Sequence, residues 1–168
     1  IKEKLYHLLK LEVAEVKIKL IVVGKIKEKY WVDAINEYSK RLSAFCDLNL
    51  IEVKEVNTDD IGKNINDEGS FILNNIKEDD FIITLEILGK EYSSEELAGF
   101  IKKHYTYDNR VLTFIIGGSN GLSNEVISKS NLHLSFGKST YPHQLMRVIL
   151  LEQLYRAMMI NNNRSYHK

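Results

Sequence analysis

Segments with the pattern of β-strands alternate with segments of helical periodicity along this chain. Strand-like segments rich in Val, Ile and Leu are expected at residues 16–24, 48–56, 81–87, 110–118 and 132–136. Between them, apolar residues recur every three or four positions, as they do on one face of a helix. Strands that are separated by helices form mostly parallel sheets with helices on both faces. The sequence therefore predicts an α/β domain of this kind.

Two capping signals place the predicted helices. Helices are expected at 30–45, 58–76, 93–104, 122–128 and 142–160. Ser93 and Glu96 have the spacing of a capping box, which pairs two exposed backbone N–H groups at a helix start. Pro142, the only proline, suits the first turn of the last helix because it has no N–H to leave unpaired.

Composition excludes several classes of protein. The 168 residues are 44% apolar and 27% charged, which is typical of one globular domain and not of a disordered chain. The single cysteine, Cys46, excludes an internal disulfide framework and a cysteine-cluster metal site, and it fits a reducing compartment. No apolar run approaches the length of a membrane span. We expect a soluble cytoplasmic protein without a membrane partner or a metal.

The zero net charge conceals an asymmetry between the two parts of the chain. Residues 136–168 contain five basic side chains and one acidic side chain, Glu152. The basic residues are Lys138, Arg147, Arg156, Arg164 and Lys168. This excess either binds phosphate groups or is an ordinary solvated surface.

Residues 1–15 form a predicted amphipathic helix that precedes the first strand. Its apolar positions continue at helical spacing to Val16, with Lys and Glu between them. Such a stripe packs either on its own domain, as a native terminal helix, or against another chain, as an appended and engineered arm that would add an oligomer contact. The last predicted helix is apolar around most of its circumference, which indicates burial on two sides and predicts a homodimer.

Ligands of open parallel sheets bind beyond the carboxyl ends of the strands, and three such ends stand out. They are residues 84–90, the glycine-rich 117–121 and the loop 135–143. The sequence GGSNG lacks the G-K-[ST] of a P-loop and the spacing of a dinucleotide fingerprint, which disfavours kinase, GTPase and NAD-binding functions. The glycines serve either a tight turn or a close approach to a ligand.

The last loop and the chain terminus carry the titratable candidates. His143 and Arg147 are four residues apart, so they share one helical face; the histidine is either a buried structural residue or part of a site. The terminus NNNRSYHK offers Tyr166 for stacking on a base, and Arg164, His167 and Lys168 for phosphates. Spacing alone favours a frayed terminus.

Several separated motifs together carry a family resemblance. IKLIVVGKIKEKYW, IIGGSNGL, LSFGKSTYPHQLMRVILLEQLYRAM and the terminal YHK occur in order. The chain closely resembles, over residues 16–168, the ribosomal RNA large subunit methyltransferase H family of the SPOUT class. Members of that family begin with Met where Val16 stands, which favours an appended 1–15.

The resemblance implies a fold, a reaction and partners. The fold would be an α/β knot with a C-terminal trefoil knot, in a homodimer. The reaction would be S-adenosylmethionine-dependent methylation of N3 of pseudouridine 1915 in helix 69 of 23S rRNA, within the assembled 70S ribosome. The cofactor would contact residues matched by motif: Leu85, Gly117, Phe136, Gly137, Lys138, Ser139, Thr140 and Tyr141. Tyr141 departs from the Leu or Phe that the family commonly has before the proline.

The chemistry of such a reaction assigns roles to five further residues. An imide N3–H is mostly protonated at neutral pH, so a general base or stabilisation of the developing anion would assist methylation. His143 and His167 are candidate bases, Arg147 and Lys168 are candidate charge stabilisers, and Tyr166 is a candidate platform for the target base. We expect the YHK tail of one subunit to lie over the target base beside the cofactor of the other.

Two alternatives remain at this stage. The chain could be a non-catalytic ribosome-binding factor, or an engineered fusion in which the 1–15 arm drives a designed higher-order assembly. The modest charge suggests a substrate whose shape the ribosome supplies, since a stand-alone RNA binder is usually more basic. Poor activity on naked rRNA is therefore expected.

Overall fold

Five strands and five helices alternate through the residues described by the computed structural model, which are 16–168. The predicted arm at 1–15 lies outside the described residues. The strands are β1 (Lys17–Val23), β2 (Asp47–Val53), β3 (Phe81–Glu91), β4 (Leu112–Ile116) and β5 (Leu132–Ser135). The helices are α1 (Lys29–Leu42), α2 (Ile61–Leu73), α3 (Ser94–Tyr107), α4 (Asn124–Ser128) and α5 (His143–Asn161).

The strands form one sheet in the order β2-β1-β4-β3-β5, and every adjacent pair is parallel. This confirms the parallel sheet predicted from the alternating pattern. All five strands therefore end at the same edge of the sheet. Since helices follow each of these ends, the loops between strand and helix collect there.

Two apolar clusters show that helices cover both faces of the sheet. On one face, Leu20 and Phe114 are fully buried with Leu154 of α5, in a cluster that also includes side chains of α1 and α3. On the other face, Ile115 packs in a separate cluster with Ile72 of α2 and with a side chain of α4. The central strands carry apolar side chains on both faces because both are covered. No helix within 16–168 has the length and apolarity to cross a bilayer.

Strand β3 runs four residues further than the sequence indicates. Its pairing with β5 stops at Leu85, which lies opposite Leu134, and resumes at Lys90, opposite the same residue. The segment between them leaves the ladder as an irregularity. A Cβ at Gly89 would lie 2.8 Å from the carbonyl oxygen of His133, so only glycine permits this approach.

The helix starts agree with the capping signals. Ser93 Oγ accepts a hydrogen bond from Glu96 N at 3.0 Å, and the Glu96 carboxylate accepts one from Ser93 N at 2.7 Å, which completes the predicted capping box. Pro142 occupies the position immediately before α5, whose first helical residue is His143. The cofactor-loop candidates thus end directly at a helix start.

The chain terminus packs against the domain, and the expectation of a frayed tail was wrong. Asn163 adopts φ of 53°, and Arg164 N donates to Met159 O at 2.9 Å, so the chain reverses direction after α5. Tyr166 then lies edge-on to Tyr155, with ring centroids 4.9 Å apart. Local spacing did not predict these contacts because it does not show that the chain folds back onto α5.

Candidate active site

A cavity of about 740 Å³ opens at the carboxyl ends of β3, β4 and β5. Its wall is made by the three strand ends that the sequence singles out, at 85–88, 116–122 and 134–146. The volume lies within the range of small-molecule and cofactor sites. Apolar side chains, including Leu85, Ile116 and Leu134, form much of the lining.

The glycine-rich loop after β4 needs its glycines for conformation and for close contact. Gly121 has φ of +84°, and its N–H donates to Gly118 O at 3.1 Å, which closes a tight turn. A Cβ at Gly117 would lie 2.8 Å from the backbone of Gly121. The glycines therefore form a tight turn, and this turn lines the cavity with backbone.

Ser135 connects two of the cavity walls. Its buried hydroxyl lies 2.9 Å from Ile87 O in the irregular part of β3, and it accepts a hydrogen bond from Gly137 N at 3.1 Å. Gly137 has φ of +110°, a conformation that side-chain-bearing residues rarely adopt. The loop 136–142 is thereby held to β3 on one side and to α5 on the other.

Most of the predicted cofactor residues lie at this cavity. Seven of the eight line it: Leu85, Gly117, Phe136, Gly137, Ser139, Thr140 and Tyr141. The eighth, Lys138, is exposed and its side chain is outside the lining. Tyr141, where the family commonly has an apolar residue, is 39% exposed at the cavity and adds a phenol there.

His143 lies at the junction of the cavity and α5. Its partial burial, followed by the positive charge of Arg147, lowers the pKa of the imidazole, although Glu55 and Glu28 oppose this. A lowered pKa makes the neutral ring the dominant form at neutral pH. Neutral imidazole can accept a proton, which is the property required of a general base.

Arg147 is buried in the core and is not part of the cavity lining. Its Nη2 donates to Val23 O at 2.6 Å and to Gly24 O at 2.9 Å, at the end of β1, and Nη1 lies 3.2 Å from Glu52 Oε2. His143 and Arg147 lie on one face of α5, as predicted, but His143 lines the cavity whereas Arg147 is buried in the core. In this structure Arg147 ties α5 to β1 and acts on His143 through its charge.

The three terminal candidates lie along α5, away from the cavity of their own chain. Tyr166 donates to Glu152 Oε1 at 3.1 Å, and burial together with this carboxylate raises the pKa of Tyr166 to about 12. His167 Nε2 lies 2.7 Å from Glu95 Oε1, while Lys168 is exposed. Within one chain, the structure therefore separates these residues from His143.

The basic excess of the last part of the chain is divided by ion pairs. Arg147 pairs with Glu52, and Arg156 Nη2 lies 2.6 Å from Glu152 Oε1. Lys138, Arg164 and Lys168 are exposed. The charge count thus overstates the cationic surface available for phosphates.

Glu86 belongs to the predicted strand end 84–90 and lines the cavity, but it was not among the residues predicted to contact the cofactor. It follows Leu85 and lines the cavity, and its Oε2 lies 2.6 Å from Thr84 Oγ1 and also contacts His133 Nδ1. The sequence signal for Glu86 was a polar residue at the end of a strongly apolar strand, T-L-E.

Among residues 16–168, no group of three or more His, Cys, Asp or Glu side chains is placed to hold a metal ion.

Comparisons with known proteins give matches over most of the chain. A family model described as a predicted SPOUT methyltransferase matches residues 16–167. The chain is 50% identical over 157 residues to the ribosomal RNA large subunit methyltransferase H of Clostridium botulinum and 51% identical to that of Pediococcus pentosaceus. Each alignment covers 90% of this chain and 99% of the relative.

Solved structures support the fold alone. A probable methyltransferase from Bordetella pertussis superimposes with a TM-score of 0.55 at 14% identity, over 86% of this chain and 98% of that one. A probable methylase family protein from Haemophilus influenzae gives a TM-score of 0.54 at 15% identity, over 91% of this chain and 71% of the other. Both resemble this chain in the arrangement of the sheet and its helices.

Proposed function

The chain belongs to the ribosomal RNA large subunit methyltransferase H family of the SPOUT class, and we propose that it methylates N3 of pseudouridine 1915 in helix 69 of 23S rRNA. Family membership supports the coarser statement, methylation of large-subunit rRNA. The observation that carries the site assignment is the cavity at the ends of β3, β4 and β5, where the motif-matched residues meet.

S-adenosylmethionine is the proposed methyl donor, and its sulfonium supplies an activated methyl group. The lining fits such a molecule because it combines apolar surface with backbone groups of the two glycine-containing loops. Leu85 and Gly117 would hold the donor from one side and the loop 136–141 from the other. A donor fixed in this way lowers the barrier mainly through orientation, which contributes several kcal/mol in comparable reactions.

His143 is the proposed general base. Its lowered pKa leaves the imidazole free to accept the N3 proton at neutral pH. Arg147 contributes by keeping that pKa low and by fixing α5, whereas direct contact with the target base is left to other residues. His167 remains the alternative base. Its ring lies beside Glu95 within one chain, and in the proposed dimer it would lie near the cavity of the other subunit.

We place the tail in the active site of the other subunit. Tyr166, His167 and Lys168 lie along α5 and outside their own cavity, so a homodimer through α5 would bring one tail to the opposite cavity. Tyr166 would then stack on the target base, and Lys168 would stabilise its developing negative charge. We also propose that each subunit contains the C-terminal trefoil knot that the family resemblance implies.

The assembled 70S ribosome is the proposed substrate, which places the protein in the cytoplasm. The chain has a formal net charge of +0, and two of the basic residues near its terminus are neutralised by carboxylates. Strong electrostatic binding to naked rRNA is therefore not expected. A further oligomer contact through residues 1–15 stays a prediction.

Methyl transfer from labelled S-adenosylmethionine to 70S ribosomes that lack the modification tests the function. Label on N3 of the helix 69 pseudouridine, identified by mass, is the expected result. Transfer to another nucleotide would contradict the proposed target, and efficient methylation of protein-free 23S rRNA would contradict the proposed substrate. Cofactor binding without transfer to any rRNA would instead favour a non-catalytic ribosome-binding factor.

Deletion of residues 166–168 tests the division of labour between cavity and tail. Methylation should fall by about a thousandfold or more, while S-adenosylmethionine binding measured by calorimetry stays within about twofold. The deletion removes no residue that lines the cavity. Equal losses of binding and methylation would exclude the separate roles.

A further inference from the structure

We infer that Glu86 makes the cavity selective for the positively charged methyl donor over its demethylated product, S-adenosylhomocysteine. This inference rests on the proposed function, because it takes S-adenosylmethionine as the ligand of the cavity. It assigns a role in specificity to a residue that belongs to none of the matched motifs. The argument depends on which charges face the cavity and on how the carboxylate is held.

Glu86 brings the one full charge among the described side chains that line the cavity. The remaining lining residues are apolar, glycine, hydroxyl-bearing or amide-bearing, apart from His143. Burial and the charge of Arg147 lower the pKa of His143, so that its ring is neutral at neutral pH. No lining residue carries a positive charge beside Glu86, and its titratable partner His133 lies outside the lining.

The carboxylate is fixed by its neighbours. Thr84 is fully buried, and its hydroxyl lies 2.6 Å from Glu86 Oε2 and 2.8 Å from Ser130 Oγ. His133 Nδ1 contacts the same carboxylate oxygen from the more exposed side. Because Thr84 belongs to the paired part of β3, Glu86 is held at the point where the strand begins its irregular segment.

The two ligands differ in charge at one atom. When the methyl group leaves for N3, the positively charged sulfonium becomes a neutral thioether, and the N3 proton departs separately. A fixed carboxylate attracts the donor more than the product, since the remaining charges of the two molecules are the same. In a partly solvated cavity one such interaction amounts to roughly tenfold in affinity. The carboxylate thus favours binding of the donor over binding of the product, which dissociates more readily after transfer.

Calorimetry with three ligands tests this role. The ligands are S-adenosylmethionine, S-adenosylhomocysteine and sinefungin, in which a protonated amine replaces the methyl sulfonium. Glu86→Gln should weaken the two cationic ligands by about tenfold and change the affinity for S-adenosylhomocysteine by less than about twofold. Glu78→Gln removes the same charge from an exposed position before β3 and should change none of the three.

A charge-conserving variant guards against a purely structural effect. Glu86→Asp retains the negative charge and should retain the preference for the cationic ligands, even where overall affinity falls. Equal weakening of all three ligands in Glu86→Gln, or an unchanged ratio, would overturn the inference while leaving the proposed function intact. Failure of the unmodified protein to bind any of the three would overturn the proposed function itself.

Discussion

The ends of β1 and β2 and the ends of β3, β4 and β5 lie along the same edge of one sheet, yet they have different contents. At β1 the Arg147 side chain occupies the space, with its guanidinium on the carbonyls of Val23 and Gly24. At the end of β4, Gly117 has no side chain, and a cavity of about 740 Å³ remains. The strand direction is the same in both places, so the difference lies in the side chains that the following loops and α5 supply.

The two crevices should therefore affect different properties of the protein, namely stability and ligand binding. The filled one joins α5 to β1 and hence fixes the helix on which His143 lies. The open one exposes backbone and Glu86 to a ligand. Substitutions in the filled crevice should therefore change stability, and substitutions in the open crevice should change binding.

Arg147→Met gives the largest expected effect. It leaves the carbonyls of Val23 and Gly24 without their buried donors and leaves Glu52 without its ion-pair partner, which should lower the free energy of unfolding by about 3 kcal/mol. Urea denaturation measures this change. Arg156→Met, on the same helix but at a half-buried pair with Glu152, should cost about 1 kcal/mol or less. Equal costs for both variants would show that the crevice at β1 is not specially dependent on its arginine.

Gly117→Ala should have the second largest effect. The added Cβ would lie 2.8 Å from the backbone of Gly121, so the turn must move and the cavity wall with it. S-adenosylmethionine affinity should fall by about thirtyfold, which corresponds to about 2 kcal/mol. The matched control is Gly99→Ala in α3, where the new Cβ meets no heavy atom within 4 Å apart from its own helix backbone; this change should leave binding unaltered. Unchanged cofactor affinity in Gly117→Ala would argue against the cavity as the cofactor site.

His143 links the two crevices, and its titration gives the smallest effect. Since the neutral ring is the proposed base and its pKa is lowered, activity should persist below the ordinary histidine value of about 6.5 and decline at still lower pH. Glu55 raises this pKa, so Glu55→Gln should move the acidic decline of kcat/KM to lower pH. His143→Gln should remove that decline. A decline that persists unchanged in His143→Gln would assign it to another group, with His167 the next candidate.

The sheet could be predicted from sequence because its signals are local. Alternating apolar patterns, the Ser93 capping box and Pro142 each act within a few residues, and all three agree with the structure. The full length of β3 could not be predicted in this way. Its last residues pair with β5 after an irregular segment, and that pairing depends on residues more than forty positions away.

The same distinction between local and long-range signals applies to the candidate site. The three strand ends were predictable, because parallel strands must deliver their loops to one edge. The contacts of Arg147 were not, since helical spacing shows which residues share a face but not what that face packs against. The packed tail was missed because spacing does not show that the chain reverses after α5. Tyr166 returns to Tyr155 of that helix, and His167 reaches Glu95, which is distant in the chain.

The strand order has a consequence for how the chain acquires its structure during synthesis. β1 is the first described strand to leave the ribosome, yet one of its two neighbours is β4, so Ile18 must wait for Leu112. Contacts between such distant residues form slowly, because a long loop has to close before any pairing compensates for its entropy. β1, an interior strand of the sheet, thus keeps an unpaired edge until most of the polypeptide has emerged, and the cavity walls at β4 and β5 are completed last. We expect the nascent amino-terminal half to depend on chaperones for protection from aggregation.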